Sequence, residues 1–249
     1  MEKKTRPLFA CASVLLLTLN PVARGQEIKG LNQWAQTRKP EVHISGAMQS
    51  ASRNDSDLLD RKTQAIDIIN KPIGSVLAAI AYDNSVPIGL ELGDLEVLPE
   101  REISLNVPAT SLRILLNKVI EKEPRYTWKL VGSVIHFSPA TTRDSLIATL
   151  LDIKISRFAF AEDTSKNKIQ VDLMQLPEIK SQMTIARVEP LVFVNSPLSP
   201  TFTLKGVSLD GSNLRLGEIL DKIILGPEVK QWVMTRMRMD GSDVISLQF

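Results

Sequence analysis

The chain has little of the chemistry on which many catalytic and metal sites depend. Among its 249 residues there is one cysteine, and His43 and His136 are the only histidines. This scarcity excludes a disulfide framework, a thiol redox pair and a four-ligand Cys/His zinc site. A Gly-x-Ser-x-Gly turn, a glycine-rich phosphate loop and a His-Glu-x-x-His helix are also missing from the sequence. The sequence therefore predicts no catalytic, cofactor-binding or metal-binding residue, and a non-enzymatic protein.

A strong net charge is missing as well. The 30 Lys and Arg residues nearly balance the 28 Asp and Glu residues, which gives a formal charge of +2. This surplus is too small to indicate a nucleic-acid partner. Charged residues make up 23% and the AVILMFWYC set 43%, a composition that can bury a core. The length fits one large domain or two small ones.

Residues 1–25 have the pattern of a secretory signal peptide. Lys3 and Lys4 precede an apolar run over residues 7–19, and Ala23 and Gly25 are small residues at a cleavage position. The run of about 13 residues is shorter than the roughly 20 that span a bilayer as a helix. We expect a periplasmic or secreted protein without stable membrane insertion after cleavage. The alternatives are an uncleaved anchor and lipid attachment at Cys11.

Removal of residues 1–25 changes the composition. These residues hold four basic side chains and one acidic side chain, so the remainder has 26 basic and 27 acidic residues and no cysteine. The segment 26–63 is predicted to be a flexible tether. Residues 49–60 are rich in Ser, Asn, Asp and Gln and have no sustained apolar periodicity, so burial cannot offset the entropy lost on ordering. The fold has to be stabilised by hydrophobic burial and hydrogen bonding alone.

The signals for regular structure begin near residue 65. Apolar residues then recur at helical spacing after Pro72 and again after Ser111, and alternating or continuous apolar runs indicate the strands. A hairpin is predicted around Gly132-Ser133. The predicted order over residues 64–140 is β-α-β-β-α-β-β, and the fold class is α+β.

An internal repeat is the most informative feature of the sequence. The six apolar or aromatic residues of one segment fall on six of another, each pair 104 positions apart: Leu112, Leu115, Leu116, Val119, Ile120 and Trp128 on Leu216, Ile219, Leu220, Ile223, Ile224 and Trp232. The repeat predicts that residues 145–249 form a second, divergent β-α-β-β-α-β-β module. In that module we expect a strand around residues 151–160, a helix that Pro177 ends, a strand at residues 202–204, and turns at Asp210-Gly211 and Asp240-Gly241.

These residues carry a resemblance to a known family. The alternating run 103–107, the helix with Leu115-Leu116, the strand with Trp128 and the final strand 134–137 resemble the short N-terminal (STN) domain of secretins and TonB-dependent transporters. The likeness covers residues 65–138 well and 150–249 loosely, and we expect two tandem copies without a following channel or barrel. The resemblance implies two helices between small sheets, a bacterial envelope setting, and contact with periplasmic regulators or assembly components.

Four residues are candidates for a partner surface. Arg236 and Arg238 alternate with their neighbours along one predicted strand, so both arginines share a face that could contact an anionic partner. Trp128 and Trp232 hold matching places in the two copies, where each ring either packs on the sheet or offers a stacking platform for a sugar. His43 and His136 are interpreted as structural or surface residues.

Protein–protein contact through free sheet edges is the function that these observations favour. The chain is predicted to be exported, to contain two small sheets and to lack a set of reactive side chains. These features favour binding of an envelope protein over catalysis. A cell-wall or glycan-binding protein is the alternative if both tryptophans are exposed. A hydrolase is a further alternative, and it requires a pair of opposed carboxylates in a groove.

Overall fold

The computed structural model describes residues 55–141, 143–191, 203–205 and 208–249, all within one compact unit, Ser50–Phe249. These residues form a mixed α+β fold with seven helices and ten strands, as the sequence predicts. The predicted signal peptide, and the predicted tether up to residue 54, lie outside the described residues. No helix in the described part of the chain is long and apolar enough to cross a membrane.

The first module follows the predicted order. It comprises β1 (Ile66–Pro72), α2 (Ile73–Asp83), β2 (Ile88–Asp94), β3 (Glu102–Val107), α3 (Leu112–Lys122), β4 (Tyr126–Val131) and β5 (Val134–Pro139), after a short helix α1 (Asp55–Asp60). β1 pairs with β3, β4 pairs with β5 across the predicted Gly132-Ser133 turn, and β5 runs parallel to β2. α2 contacts β1 and β2, while α3 contacts β3 and β4, so the two helices lie between two small sheets.

The helices of the first module bury the apolar stripes that the sequence shows. Val76, Leu77 and Ile80 of α2 and Leu115 and Leu116 of α3 have no exposed surface. They join the inward-facing residues of β2, β3 and β5 in one hydrophobic core. Burial of each large aliphatic side chain contributes about 1.5–3 kcal/mol, so this core replaces the disulfides that the chain lacks.

The second module repeats this plan with additions. It comprises α4 (Ser145–Asp152), β6 (Lys154–Phe160), α5 (Lys166–Met174), α6 (Pro177–Ala186), β7 (Glu189–Leu191), β8 (Leu209–Arg215), α7 (Leu216–Ile224), β9 (Gln231–Met239) and β10 (Ser242–Gln248). β6 pairs with β8, β9 pairs with β10, and β10 runs parallel to β7. The pairing of strands is therefore the same as in the first module. α4 lies against α7 as α1 lies against α3, whereas α6 has no counterpart among the described elements of the first module.

Several details of the second module differ from the sequence prediction. Pro177 begins a helix instead of only ending one, because proline has no amide hydrogen to lose at the first helical position. Residues 151–152 belong to α4, and the strand starts at Lys154. Thr203 forms only an isolated bridge to Ser165. Asp210 and Gly211 lie inside β8 and do not form a turn.

The second hairpin turns where the sequence predicts, but its strands pair differently. Asp240 and Gly241 connect β9 to β10 with positive φ angles of 51° and 84°. Leu247 lies opposite Met234, whereas Phe137 lies opposite Trp128 in the first hairpin. The predicted equivalence of residues 134–137 with 244–247 therefore does not follow the hydrogen-bond register.

A continuous sheet joins the two modules. β2 of the first module pairs in parallel with β9 of the second, which gives the strand order β4-β5-β2-β9-β10-β7. The predicted domains 64–140 and 145–249 thus share one six-stranded sheet. The equivalent strands β4 and β9 run in opposite directions in this sheet, because β4 is antiparallel to β5, β5 is parallel to β2, and β2 is parallel to β9.

The last part of the predicted tether is ordered. Leu59 of α1 is buried in the core of the first module, and α1 contacts α3. Two backbone hydrogen bonds fix the following residues: the Thr63 amide donates to the Thr110 carbonyl at 2.7 Å, and the Leu112 amide donates to the Arg61 carbonyl at 3.0 Å. The prediction of a flexible tether is wrong for residues 55–63, since one buried leucine and these bonds offset the ordering entropy.

Candidate functional site

The contact between β2 and β9 depends on a glycine. Gly89 pairs directly with Trp232, and a Cβ atom at position 89 would lie 2.4 Å from Cζ2 of the Trp232 ring. Such a contact is far shorter than van der Waals distance, so no other residue fits without displacement of the ring. Trp232 has no exposed surface. The expectation that Trp232 belongs to a partner surface is therefore corrected: its ring is covered by β2 of the same chain.

A polar group completes this junction. The Trp232 indole nitrogen donates to Oδ1 of Asp221 on α7 at 2.9 Å, and Oδ2 of the same carboxylate lies 3.0 Å from Nε2 of His136 on β5. The His136 and Trp232 rings meet edge to face with centroids 5.7 Å apart. Asp221 thus joins a strand of the first module to a strand of the second, and this placement supports the structural interpretation of His136.

A second polar contact joins the modules at the start of α4. Glu91 on β2 is buried, and it accepts two hydrogen bonds of 2.7 Å from Nε and Nη2 of Arg143. The following residue, Asp144, caps α4 by accepting from the amides of Leu146 and Ile147. The two-point geometry holds Arg143 in one orientation, because the guanidinium fork matches a carboxylate.

Arg236 lies among three carboxylates. Its guanidinium group contacts Asp243 at 2.5 Å, Asp144 at 3.5 Å and Asp94 at 4.0 Å. The hydrogen bond from Arg236 lowers the pKa of Asp243, and the same bond raises the pKa of Arg236 itself. The side chain is only 27% exposed. Arg236 therefore serves contacts within the chain.

Arg238 is more accessible, and it lies next to one of these acids. Its side chain is 55% exposed, and its Nε lies 3.9 Å from Asp243. Around Arg236 and Arg238 the carboxylates outnumber the guanidinium groups by three to two, so the local field does not favour an anion. Arg236 and Arg238 share one face of the strand, as the sequence predicts. The charge balance around them, however, does not support the hypothesis that this face binds an anionic partner.

Trp128 occupies a different environment from its counterpart. Its indole nitrogen donates to Oδ1 of Asn117 on α3 at 3.1 Å, as that of Trp232 donates to Asp221 on α7. In both pairs the acceptor precedes the tryptophan by 11 positions, and Asn117 and Asp221 are themselves 104 positions apart. Trp128, however, is only half-buried, because no strand among the described residues lies beyond β4.

The outer edge of β4 has a defined set of backbone groups. The carbonyl of Arg125 accepts from the Ala140 amide at 2.8 Å, and Val131 pairs with Val134 at the hairpin turn. Because the two sides of an antiparallel strand alternate, the backbone groups of Trp128 and Leu130 then point away from β5. Within the described ranges no strand covers this edge, which therefore offers the amide and carbonyl of both residues.

The remaining candidates contribute little to a site. His43 lies outside the described residues. A depression of about 510 Å³ beside α4 is lined by Arg143, Thr149 and Asp152 with three apolar neighbours. It contains one carboxylate, whereas the hydrolase alternative requires two. No cluster of three or more His, Cys, Asp or Glu side chains suited to a metal ion occurs in the described ranges.

The roles of three residues of this site were not predicted from the sequence, in which Asp221 is one of several isolated acidic residues. Gly89 was predicted only to be part of a strand. Its contact with the Trp232 ring could not be predicted from the neighbouring sequence, because the two residues are 143 positions apart. Asn117 and Asp221 were detectable, because they repeat at the same spacing of 104 as the apolar residues. Both are polar residues on an otherwise apolar pattern, and each lies one turn of helix from the repeated leucines or isoleucines.

Comparisons with protein-family models, with curated proteins and with solved structures found no match for this chain.

Proposed function

We propose that this chain is an exported, non-enzymatic protein–protein interaction module of the bacterial cell envelope, and that it binds its partner by strand addition at the edge of β4. The observation that supports the proposal most directly is the pair of equivalent edges. The edge of β9 is occupied by β2, and the equivalent edge of β4 carries the same anchored tryptophan without a strand beside it in the described residues.

Strand addition suits the composition of the chain. Backbone hydrogen bonds to an added strand supply affinity, and side-chain positions along the edge select the partner. No reactive histidine, cysteine or metal group is needed for this binding. The chain itself contains an example, because β2 and β9 come from different modules and pair in parallel over residues 88–94 and 231–236.

The envelope setting rests on two sequence features. Residues 1–25 have the pattern of a signal peptide, and the first module resembles the short N-terminal domains of secretins and TonB-dependent transporters. Domains of that kind contact periplasmic regulators or inner-membrane assembly components. We propose an envelope protein of this class as the partner, in the periplasm or outside the cell.

The proposal is tested by blocking the edge. Leu130→Pro removes an amide that points away from β5, so the variant keeps the β4–β5 pairing and loses one bond to an added strand. Leu130→Ala is the matched control, because it shortens the same side chain and keeps the amide. The immobilised wild-type chain and both variants are incubated with envelope extract, and circular dichroism confirms that each is folded.

We expect a partner that is retained by the wild type and by Leu130→Ala and lost with Leu130→Pro. Recovery of the same partner with Leu130→Pro would place binding elsewhere on the chain. Recovery of no partner by the folded wild type, at salt concentrations that preserve weak complexes, would contradict the proposed function.

A further inference from the structure

From the comparison of the two equivalent edges we infer that the strand bound by β4 runs parallel to it, has a glycine directly opposite Trp128, and has an acidic residue immediately after that glycine. This inference rests on the proposed function, and it specifies the chemistry of the partner segment. The partner is an extended peptide segment of another protein.

The requirement for glycine comes from the occupied edge. In the β2–β9 pair, residue 89 has no side chain because the Trp232 ring fills the space that a Cβ atom would need. The ring cannot move aside freely, since its indole nitrogen donates a hydrogen bond to Asp221 and the ring is in edge-to-face contact with His136. The glycine is thus a condition for strand pairing beside an anchored tryptophan.

The same condition holds at β4. The hydrogen bond from Trp128 to Asn117 differs by only 0.2 Å in length from that between Trp232 and Asp221, and both acceptors stand at the same place on equivalent helices. The Trp128 ring is therefore held in the same direction relative to its strand. A parallel strand beside β4 meets that ring at one position, where any residue with a Cβ atom collides with it.

The acidic residue is indicated by Lys129. In the β2–β9 register the residue after Gly89 pairs with the residue after Trp232. Transferred to β4, the residue after the glycine pairs with Lys129, whose side chain is exposed on the face opposite Trp128. No acidic side chain contacts Lys129 in the described part of the chain, since the ion pairs there involve other residues. A cross-strand carboxylate supplies that partner.

A second copy of this chain is a poor occupant. The strand that corresponds to β2 in the second module is β7, and it presents Glu189, Pro190 and Leu191. Pro190 has no amide hydrogen to donate, and the described residues of β7 include no glycine. Addition of β7 to β4 of another copy would therefore bring a Cβ atom against Trp128. These features disfavour addition of β7 from a second copy to β4. We therefore assign the β4 edge to a strand of a different protein.

The chain provides its own probe for the test. A synthetic peptide of residues 85–94 contains the β2 strand, and two variants of it carry Gly89→Val or Leu90→Glu. Each peptide is titrated into the purified chain while the backbone amide signals of Trp128 and Leu130 are followed by nuclear magnetic resonance. The titrations are repeated with Leu130→Pro and with Lys129→Gln chains.

We expect the unmodified peptide to shift and protect both amides in the wild-type chain and to lose this effect in Leu130→Pro. The Gly89→Val peptide should bind at least about tenfold more weakly, because the added side chain overpacks the ring. The Leu90→Glu peptide should bind about two- to fivefold more tightly at low salt, and Lys129→Gln should remove this gain.

Other results of these titrations would contradict either the glycine requirement or the whole inference. Equal binding of the glycine and valine peptides, both lost in Leu130→Pro, would overturn the glycine requirement and leave the proposed function intact. Binding of the peptides that survives Leu130→Pro, or no binding at all, would overturn the inference, while the extract experiment tests the proposed function independently. Self-association of the chain in sedimentation that Leu130→Pro abolishes would make a second copy the occupant and overturn it too.

Discussion

Gly89 and Trp232 are complementary across the junction of the two modules: the indole ring fills the space that any side chain at position 89 would occupy. This single relationship allows a strand of the first module to lie beside a strand of the second. It also explains why the two modules form one sheet, although each has a separate hydrophobic core.

Replacement of Gly89 should open this junction. In Gly89→Val the added carbons meet the Trp232 ring, and we expect a loss of roughly 1–3 kcal/mol in the free energy of unfolding, measured by urea denaturation. Gly74→Ala is the matched control, because a Cβ atom there would lie 3.7 Å from its nearest neighbour. That substitution within α2 should stabilise the chain by about 0.5–1 kcal/mol. Equal stability of Gly89→Val and the wild type would contradict the proposed role of the glycine.

Asp221 should be replaceable by asparagine but not by leucine. Asp221→Leu leaves the buried indole nitrogen of Trp232 without an acceptor, which costs about 1–3 kcal/mol. Asp221→Asn keeps an oxygen at the same place, as Asn117 does for Trp128, and should lose clearly less stability. Both variants can be compared by the midpoint of urea unfolding. A loss as large for asparagine as for leucine would mean that the carboxylate charge matters more than the acceptor.

The Glu91–Arg143 pair should be sensitive to the loss of one partner. In Arg143→Met the buried Glu91 carboxylate loses its two hydrogen bonds, and we expect destabilisation of roughly 1–3 kcal/mol, less than for a fully buried pair because the Arg143 side chain is 48% exposed. The double variant Glu91→Gln/Arg143→Met should recover part of this loss, because the unpaired buried charge is gone. Thermal unfolding of the four proteins as a double-mutant cycle checks this. A single variant within about 0.5 kcal/mol of the wild type would show that the pair is solvated.

Tyr126 should resist ionisation. Burial raises the pKa of its phenol to about 12, and the hydroxyl group donates to the Leu92 carbonyl at 3.1 Å. The chain has only two tyrosines, so in Tyr82→Phe the absorbance change at alkaline pH reports Tyr126 alone. We expect a transition near pH 12 in the folded variant and near pH 10 in denaturant.

The direction of the linked stability change follows from this shift. Because the folded state holds the Tyr126 proton more tightly than the unfolded state does, its contribution is fully present below pH 10 and is lost as the pH rises towards 12. A shift of this size corresponds to roughly 2–3 kcal/mol. A single transition at pH 10 in the folded Tyr82→Phe variant would show that the phenol is accessible to water.

Local sequence patterns predicted the secondary structure correctly where a segment is compatible with only one type of element. The apolar stripes of α2 and α3 and the Gly132-Ser133 turn gave the order of the first module correctly, since each element buries one face against its neighbours in sequence. They were insufficient at Pro177, which is compatible with both the end and the start of a helix, and at Asp210-Gly211, whose turn-forming residues lie within β8. Pairing with β6 decides the second case.

For the candidate partner surface, too, the sequence indicated the positions of the residues but not their accessibility. Arg236, Arg238, Trp128 and Trp232 were chosen from their positions along strands, and only pairing with other strands distinguishes them. β2 covers Trp232, whereas Trp128 lies at an edge of the described sheet, and Asp94 on β2, Asp144 before α4 and Asp243 on β10 surround Arg236. A residue's neighbours across a sheet come from distant parts of the chain, so the local pattern could not reveal which of the four residues is accessible.

The sequence by itself determined the α+β class, the order of the first module and the repeat at a spacing of 104, because apolar periodicity and turn chemistry act between residues close in the chain. Only the tertiary structure decided that the two modules share a sheet, that Gly89 admits the ring of Trp232, and that β4 is the edge without a neighbour in the described residues. Those facts depend on which strand edges meet in space, and edges meet according to the packing of whole modules and the volume of single side chains.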